Sequence, residues 1–390
     1  MPSRRSFIVT LGAGSAGLLA SPYITWRGHE ALYAQGVSAR RADRLLASRP
    51  GMTRIDSNEN PNGPGERIYA LIRAHLNESN RYPVKSEDDL MAAIAKVHGI
   101  KPESVILGCG SGELLRAAVN GFCSKERALV SPEPTFEAPA NWAKFMGFPV
   151  VAPKVTATLH SDLDAMADGA RNAGLVFFCN PNNPTATVHG KDAVTAFVNR
   201  VNQIAPECTI LIDEAYHEYV DDASYATAIP LAMSNPRVVV SRTFSKVFGM
   251  AGLRVGYVVG QEAALAKIRP WMLGSNINQL GLVAAATTVG DTAHIAAEQK
   301  KNRVARAYTR KFFEDLGYKV PQCEANFMFV DVKRDAREFK LACVEKFVAV
   351  GRQFASLPNH SRVSIGTMEE MKKATKVIKA VLAQSAANSG

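Results

Sequence analysis

The sequence predicts an α/β fold: a mostly parallel sheet with helices on both faces, followed by a smaller α+β domain. From residue 86 to about 260, short apolar runs alternate with helical patterns, which implies parallel strands joined by crossover helices. Beyond a long helical stretch at 292–316 the pattern changes to short strands interleaved with two helices. A chain of 390 residues is long for one domain and short for three, so two closely associated domains are expected, with ample apolar material for a core.

In chain order, residues 38–50 are Arg-rich and read as a short exposed helix or linker, and 58–65, dense in Asn, Pro and Gly, reads as a loop. The alternation then runs through helix 87–98, strand 104–108, helix 113–122 and strand 127–131. Gly108-Cys109-Gly110-Ser111-Gly112 lies between a strand and a helix, where backbone N–H groups and the Ser111 hydroxyl can hold a phosphate at the helix N-terminus. It is not a dinucleotide fingerprint, because Glu113 stands where the third glycine belongs.

The apolar run Thr209-Ile210-Leu211-Ile212 ends on Asp213, which puts a carboxylate at a strand's carboxyl edge. Residues 237–241 read as another short buried strand, so Lys246 falls just past its carboxyl end, where open α/β sheets bind ligands. Around Lys246 stand the hydroxyls of Thr243 and Ser245, the guanidinium of Arg254, and the small residues Gly249, Ala251 and Gly252. Those are the groups a phosphorylated aldehyde needs: an amine for the carbonyl, and hydroxyl donors with a planar bidentate cation for the phosphate. The smaller domain follows, with strands 326–332, 348–350 and 362–365 and helices 336–346 and 368–387.

Further motifs occur in order: Asn58-Glu59-Asn60-Pro61, Arg81-Tyr82-Pro83, Pro134-Thr135-Phe136, Asn180-Pro181-Asn182-Asn183-Pro184-Thr185, Asp213-Glu214-Ala215-Tyr216 and Arg362-Val363-Ser364-Ile365-Gly366-Thr367. With the glycine run and the lysine segment, this ordered set resembles the fold-type I pyridoxal-phosphate aminotransferases of class I/II, most closely the histidinol-phosphate aminotransferase branch. The resemblance covers roughly residues 50–385 and implies a seven-stranded type of sheet in the large domain. It also implies the division of the chain: 35–83 as an N-terminal arm joining the small domain, 84–290 as the large cofactor-binding domain and 291–390 as the small domain.

The resemblance implies that Lys246 carries pyridoxal phosphate and later acts as the general base, while Asp213 pairs with the pyridine nitrogen and keeps it protonated. Tyr216 and Asn183 would bond the ring's phenolic oxygen, and Phe136 would stack on the ring. Ser111, Gly112, Thr243, Ser245 and Arg254 would hold the phosphate, joined by Tyr82 from the neighbouring subunit, which makes a homodimer with shared active sites the expected assembly. Arg362 looks like the arginine that fixes the substrate α-carboxylate, Arg352 stands near the position that binds the substrate's distal phosphate in that branch, and Asn60 occupies a position that faces substrate. The expected reaction moves an amino group between a small-molecule amino donor, an amino acid or amino-phosphate, and a 2-oxo acid.

Two other reactions draw on overlapping residues. A decarboxylase or lyase of the threonine-phosphate decarboxylase type shares nearly all of them, and an exported nicotinamide oxidoreductase could use the glycine run without the lysine. Ala186 stands where glycine usually follows Asn-Pro-Thr, and Gly112 where the histidinol-phosphate branch often has an acidic residue, so the tie to that branch's substrate is loosened.

Ser3-Arg4-Arg5-Ser6-Phe7-Ile8 and the apolar, glycine-rich stretch after it resemble a twin-arginine export signal, taken as residues 1–34 with Ala20 and Ala34 as possible cleavage points. The stretch is too short for a comfortable membrane span, so no stable membrane anchor is expected. The export machinery becomes an expected partner, and the periplasm or cell exterior of a bacterium the expected location. The net charge of +10 is spread along the chain with no basic block interleaved with aromatics, which argues against nucleic acid as a partner. The 6 cysteines are scattered, with no Cys-x-x-Cys pair and no ligand spacing with His or Asp, so free thiols and no metal are expected.

Overall fold

The computed structural model describes residues 47–388, so the twin-arginine segment and its cleavage points lie outside the described residues. The strands are β1 (Thr53–Ile55), β2 (Val105–Cys109), β3 (Ala128–Val130), β4 (Val150–Val151), β5 (Ala173–Cys179), β6 (Thr209–Asp213), β7 (Val238–Thr243), β8 (Val255–Gly260), β9 (Phe327–Asp331), β10 (Val348–Val350) and β11 (His360–Ser364). Seven of them form one sheet in the order β2-β8-β7-β6-β5-β3-β4. Strands β4, β3, β5, β6 and β7 pair in parallel, and β8 runs antiparallel to both β7 and β2. The expected mostly parallel sheet is therefore present, with its reversal confined to β8.

The central strands have no solvent face: every residue of β5, β6, β7 and β8 is buried. Alternate residues feed two separate cores. Val176, Phe178, Ile210, Ile212, Val238 and Val240 belong to one, and Leu175, Phe177, Leu211 and Val239 to the other. The second core is closed by the helices Ser111–Phe122 and Glu262–Ile268, the first by Val84–His98, Lys191–Ile204 and Gln279–Thr288. Burying a side chain the size of Phe177 or Phe178 stabilises the fold by about 1.5–3 kcal/mol.

Two helices begin earlier than their apolar periodicity suggests, at Val84 and Ser111. The residues added, such as Lys85, Ser111 and Gly112, carry no apolar signal, so only backbone geometry places the first turn. Outside the large sheet, β1 pairs in parallel with β10, and β9 pairs antiparallel with β11. The helix Thr292–Asp315, capped by Asp291 accepting from the His294 N–H, packs against the C-terminal helix Met368–Asn388. Among the described residues no single helix is long and apolar enough to cross a membrane.

Ala186 adopts φ +61 and is fully buried. Glycine there would relieve left-handed strain of about 1–2 kcal/mol. It would also lose a buried methyl worth ~0.8 kcal/mol and add unfolded-chain entropy of about 0.4–1 kcal/mol. Ala186→Gly is therefore expected to leave the denaturant midpoint nearly unchanged, and a stability change above about 1 kcal/mol in either direction would contradict this balance.

Candidate active site

The carboxyl ends of β6 and β7, the start of helix Ser111–Phe122 and the edge of β11 enclose a cavity of about 580 Å³. Asp213, the last residue of β6, and Lys246, three residues past the end of β7, both face it. The strands carry them to one spot because β6 and β7 are adjacent, with Asp213 opposite Ser241 in register.

The Lys246 Nζ donates to the Asn58 carbonyl at 3.1 Å and lies 5.4 Å from the centre of the Tyr216 ring. Burial, reinforced by the Arg362 guanidinium, pulls the Lys246 ammonium down to about 8, while the carboxylates of Glu59 and Asp213 limit the shift. Burial pushes the Asp213 carboxyl up to about 7 against the opposing pull of Ser241 and Lys246. Burial also pushes the Tyr216 phenol up, opposed by Arg362 and by the Asn58 Nδ2 that donates to its oxygen at 3.1 Å. An amine near neutrality beside a buried acid is suited to moving protons.

At the other end of the cavity, Ser111 and Gly112 open a 12-residue helix that no side chain caps, so its first N–H groups are available to an anion. Thr243 donates to Ser245 at 2.9 Å, and the Arg254 Nη1 approaches the same Ser245 hydroxyl at 3.3 Å. Close backbone approach makes this cradle. A Cβ on Gly256 would collide with the Ser111 nitrogen, and one on Gly110, at φ +73, with the Arg254 guanidinium. Gly110→Ala is thus expected to displace Arg254 and weaken cofactor affinity by about tenfold or more, measured by titrating apoenzyme; unchanged affinity would remove Arg254 from the phosphate cradle.

The third side of the cavity carries two arginines. Arg362 in β11 donates from Nη1 to the Asn183 Oδ1 at 2.8 Å and from Nη2 to the Asp56 carbonyl at 2.7 Å, while its Nε is buried without a partner. Arg352 pairs with Glu137 at 2.7 Å. Phe136 lines the cavity beside them.

One residue expected in the site, Asn60, lies outside this cavity's lining. Its Nδ2 donates to the Val247 carbonyl at 2.9 Å and to Glu298 at 3.0 Å, and its Oδ1 accepts from the Asn62 N–H at 3.0 Å. With both amide functions engaged, Asn60 ties its loop to the lysine segment. Tyr82, expected to reach the cofactor of a neighbouring subunit rather than this cavity, is 83% exposed. Conversely, the sequence reading passed over Asn58, whose backbone and side chain contact Lys246, Tyr216 and Ser364. It also assigned nothing to Glu214, whose Oε2 takes both the Nε and Nη2 of buried Arg242 at 3.0 and 2.7 Å and fixes the turn after Asp213. The Asn-rich loop and the Asp-Glu pair were signals, but neither identified a partner.

The donor set suits pyridoxal phosphate. Buried Asp213 has one carboxylate oxygen, Oδ1, without a partner, Lys246 supplies the amine, and the glycine cradle with Arg254 supplies phosphate contacts. No group of three or more His, Cys, Asp or Glu among the described residues could hold a metal ion. All 6 cysteines are free thiols. Fold and site together define an enzyme built around a carbonyl cofactor held at a lysine. Residues 51–378 match the family described as aminotransferase class I and II, and the chain belongs to it. It is 34% identical over 336 residues, 85% of this chain and 91% of the relative, to a histidinol-phosphate aminotransferase of Symbiobacterium thermophilum. It is 32% identical to that of Moorella thermoacetica, over 90% of each chain. Among solved structures, a candidate histidinol-phosphate aminotransferase of Erwinia carotovora atroseptica superimposes with TM-score 0.82 at 29% identity, covering 86% of this chain and 97% of that one. The fold is also that of the Sinorhizobium meliloti histidinol-phosphate aminotransferase solved with pyridoxal-5'-phosphate, at TM-score 0.80 and 23% identity over 88% of this chain and 95% of that one. The protein is accordingly a pyridoxal-phosphate-dependent aminotransferase, and nothing in its relatives favours the decarboxylase or the nicotinamide oxidoreductase.

Proposed function

We propose that Lys246, Asp213 and Arg362 carry the transamination, and the observation that bears this reading is their convergence on one cavity beside the glycine cradle. When bound, pyridoxal phosphate supplies an aldehyde for the donor amine and a ring that withdraws electrons from the donor's α carbon. Lys246, whose amine is neutral at lower pH than an ordinary lysine, would take the proton from the donor's α carbon. Asp213 would hold a positive charge at the ring nitrogen, and Tyr216 and Asn183 would bond the phenolic oxygen. Ser111, Gly112, Thr243, Ser245 and Arg254 would hold the phosphate, Phe136 would cover the ring, and Arg362, which lines the same cavity, would receive the donor's acid group.

The donor is an amine bearing an acid group, in the class that includes amino acids and the histidinol phosphate named for the relatives, and the acceptor is a 2-oxo acid. Mixing holoenzyme with a panel of donors tests this. The cofactor's aldehyde absorbance should give way to its amine form, and a 2-oxo acid should restore it. Carbon dioxide release independent of any oxo acid would replace transamination by decarboxylation.

The same reading includes a homodimer with Tyr82 reaching the partner's phosphate, supported by the exposure of Tyr82 together with Val84, Trp271 and Leu273. A fully active monomer in sedimentation would end it. Residues 35–83, 84–290 and 291–390 serve as arm, large domain and small domain, a division supported by the pairing of β1 with β10. Arg4 and Arg5 suit twin-arginine export of the folded enzyme to the periplasm or beyond, which cell fractionation of the wild type and an Arg4→Lys, Arg5→Lys variant would test.

A further inference from the structure

At the end of the cavity away from the glycine cradle, five side chains form a wall: Phe136 and Glu137 just before the helix Ala138–Phe145, Asn141 within it, and Arg352 and Phe354 from the segment after β10. Glu137 immediately precedes the helix Ala138–Phe145 and turns its carboxylate onto Arg352, 2.7 Å away and about equally shielded, at 38% and 35% exposure. The Arg352 guanidinium also lies 4.1 Å from the centre of the Phe354 ring and donates to the Gln353 carbonyl at 3.1 Å. One face of the guanidinium and its Nη1 and Nη2 atoms are therefore engaged. Lys340, another cation lining the cavity, is buried and already engaged.

A donor ending in phosphate would have to pull Arg352 from Glu137 or bind it beside that carboxylate. A dianion next to an anion is repelled, and a half-shielded ion pair gives up its contact only against a comparable gain. An uncharged side chain meets no such conflict: it can lie beside the closed ion pair and reach Asn141. Resting on the aminotransferase reading, we propose that Glu137 determines donor specificity, offsetting the Arg352 charge so that the enzyme takes amino acids with uncharged side chains in preference to donors carrying a distal phosphate. The selectivity is built by repulsion of the wrong donor as much as by attraction of the right one.

Two amino acids with the same α-carboxylate test it, L-phenylalanine and O-phospho-L-homoserine. Binding of each is measured by calorimetry on the cofactor-loaded Lys246→Ala protein, which holds donors without turning them over, with and without Glu137→Gln. Turnover of each is measured in the Lys246 enzyme. Phenylalanine should bind tighter with Glu137 present, and Glu137→Gln should improve the phosphorylated donor by about tenfold or more while changing phenylalanine little. Glu137→Asp should restore the original order. A preference for the phosphorylated donor in the Glu137 protein, or a ratio unmoved by Glu137→Gln, overturns the proposal. The binding ratio reports on Glu137 alone, whereas absent turnover of every donor by the Lys246 enzyme counts against transamination itself.

Discussion

Lys246→Ala is expected to keep binding pyridoxal phosphate and to lose transamination by about 10³-fold or more, because general acid–base catalysis alone is worth roughly 10²–10⁴. Binding survives since the phosphate contacts from Thr243, Ser245, Arg254 and the Ser111 helix do not involve the lysine. Turnover fails since no other amine is available: the neighbouring cations in the cavity are guanidiniums and engaged Lys340, and a guanidinium does not release its proton. Lys246→Arg should fail almost as completely, although it keeps the charge, whereas a role that was only structural would be rescued by it. Single-turnover mixing with donor measures both variants, and near-wild-type rates in either would remove Lys246 from the proton transfer. The depressed amine also sets a pH signature. The catalytically competent neutral form of ligand-free Lys246 accumulates as pH rises through about 8 rather than through the ordinary lysine range.

The second large effect is expected at Asp213. Asp213→Asn preserves shape and hydrogen-bonding reach but cannot carry charge, so a positive ring nitrogen loses its counter-ion in a site where Asp213 is only 3% exposed. The rate should fall by about 10²-fold or more, on the scale of removing one preorganised electrostatic group, with a smaller loss of cofactor affinity. In the ligand-free protein burial leaves the Asp213 carboxyl titrating at about 7, so it readily takes a proton; a cationic partner placed against it stabilises the carboxylate and draws that value down. Asp213→Glu, which restores the charge at a displaced position, should recover part of the rate. An Asp213→Asn enzyme with unimpaired kcat would show that the ring nitrogen needs no anion.

Much of this site was legible in the chain. Asp213 and Lys246 each follow a short apolar run, and a polar group placed immediately after a buried strand must emerge at the sheet's edge. Glycines at 108, 110 and 112 announced a strand-to-helix turn with exposed amides. Asn60 shows where that reasoning failed. Asn58 and Asn60 are the same residue type two positions apart in one loop, and nothing local separates them. Asn58 takes φ +54 and meets Ser364, 306 residues away, while Asn60 meets Glu298, 238 residues away. The Glu137–Arg352 pair, joining segments more than two hundred residues apart, was equally invisible.

By itself, then, the chain determined which segments become strands and helices and which reactive groups lie at their ends, because apolar periodicity and turn chemistry act over a few residues. Tertiary structure alone decided which of those groups share a cavity, which asparagine touches the lysine, and whether each arginine is free or neutralised. Those outcomes depend on strand order and on hydrogen bonds closed across hundreds of residues. They also set the burial that moves Lys246 down to about 8 and Asp213 up to about 7. Desolvation is a property of the assembled neighbourhood, and no stretch of chain carries it alone.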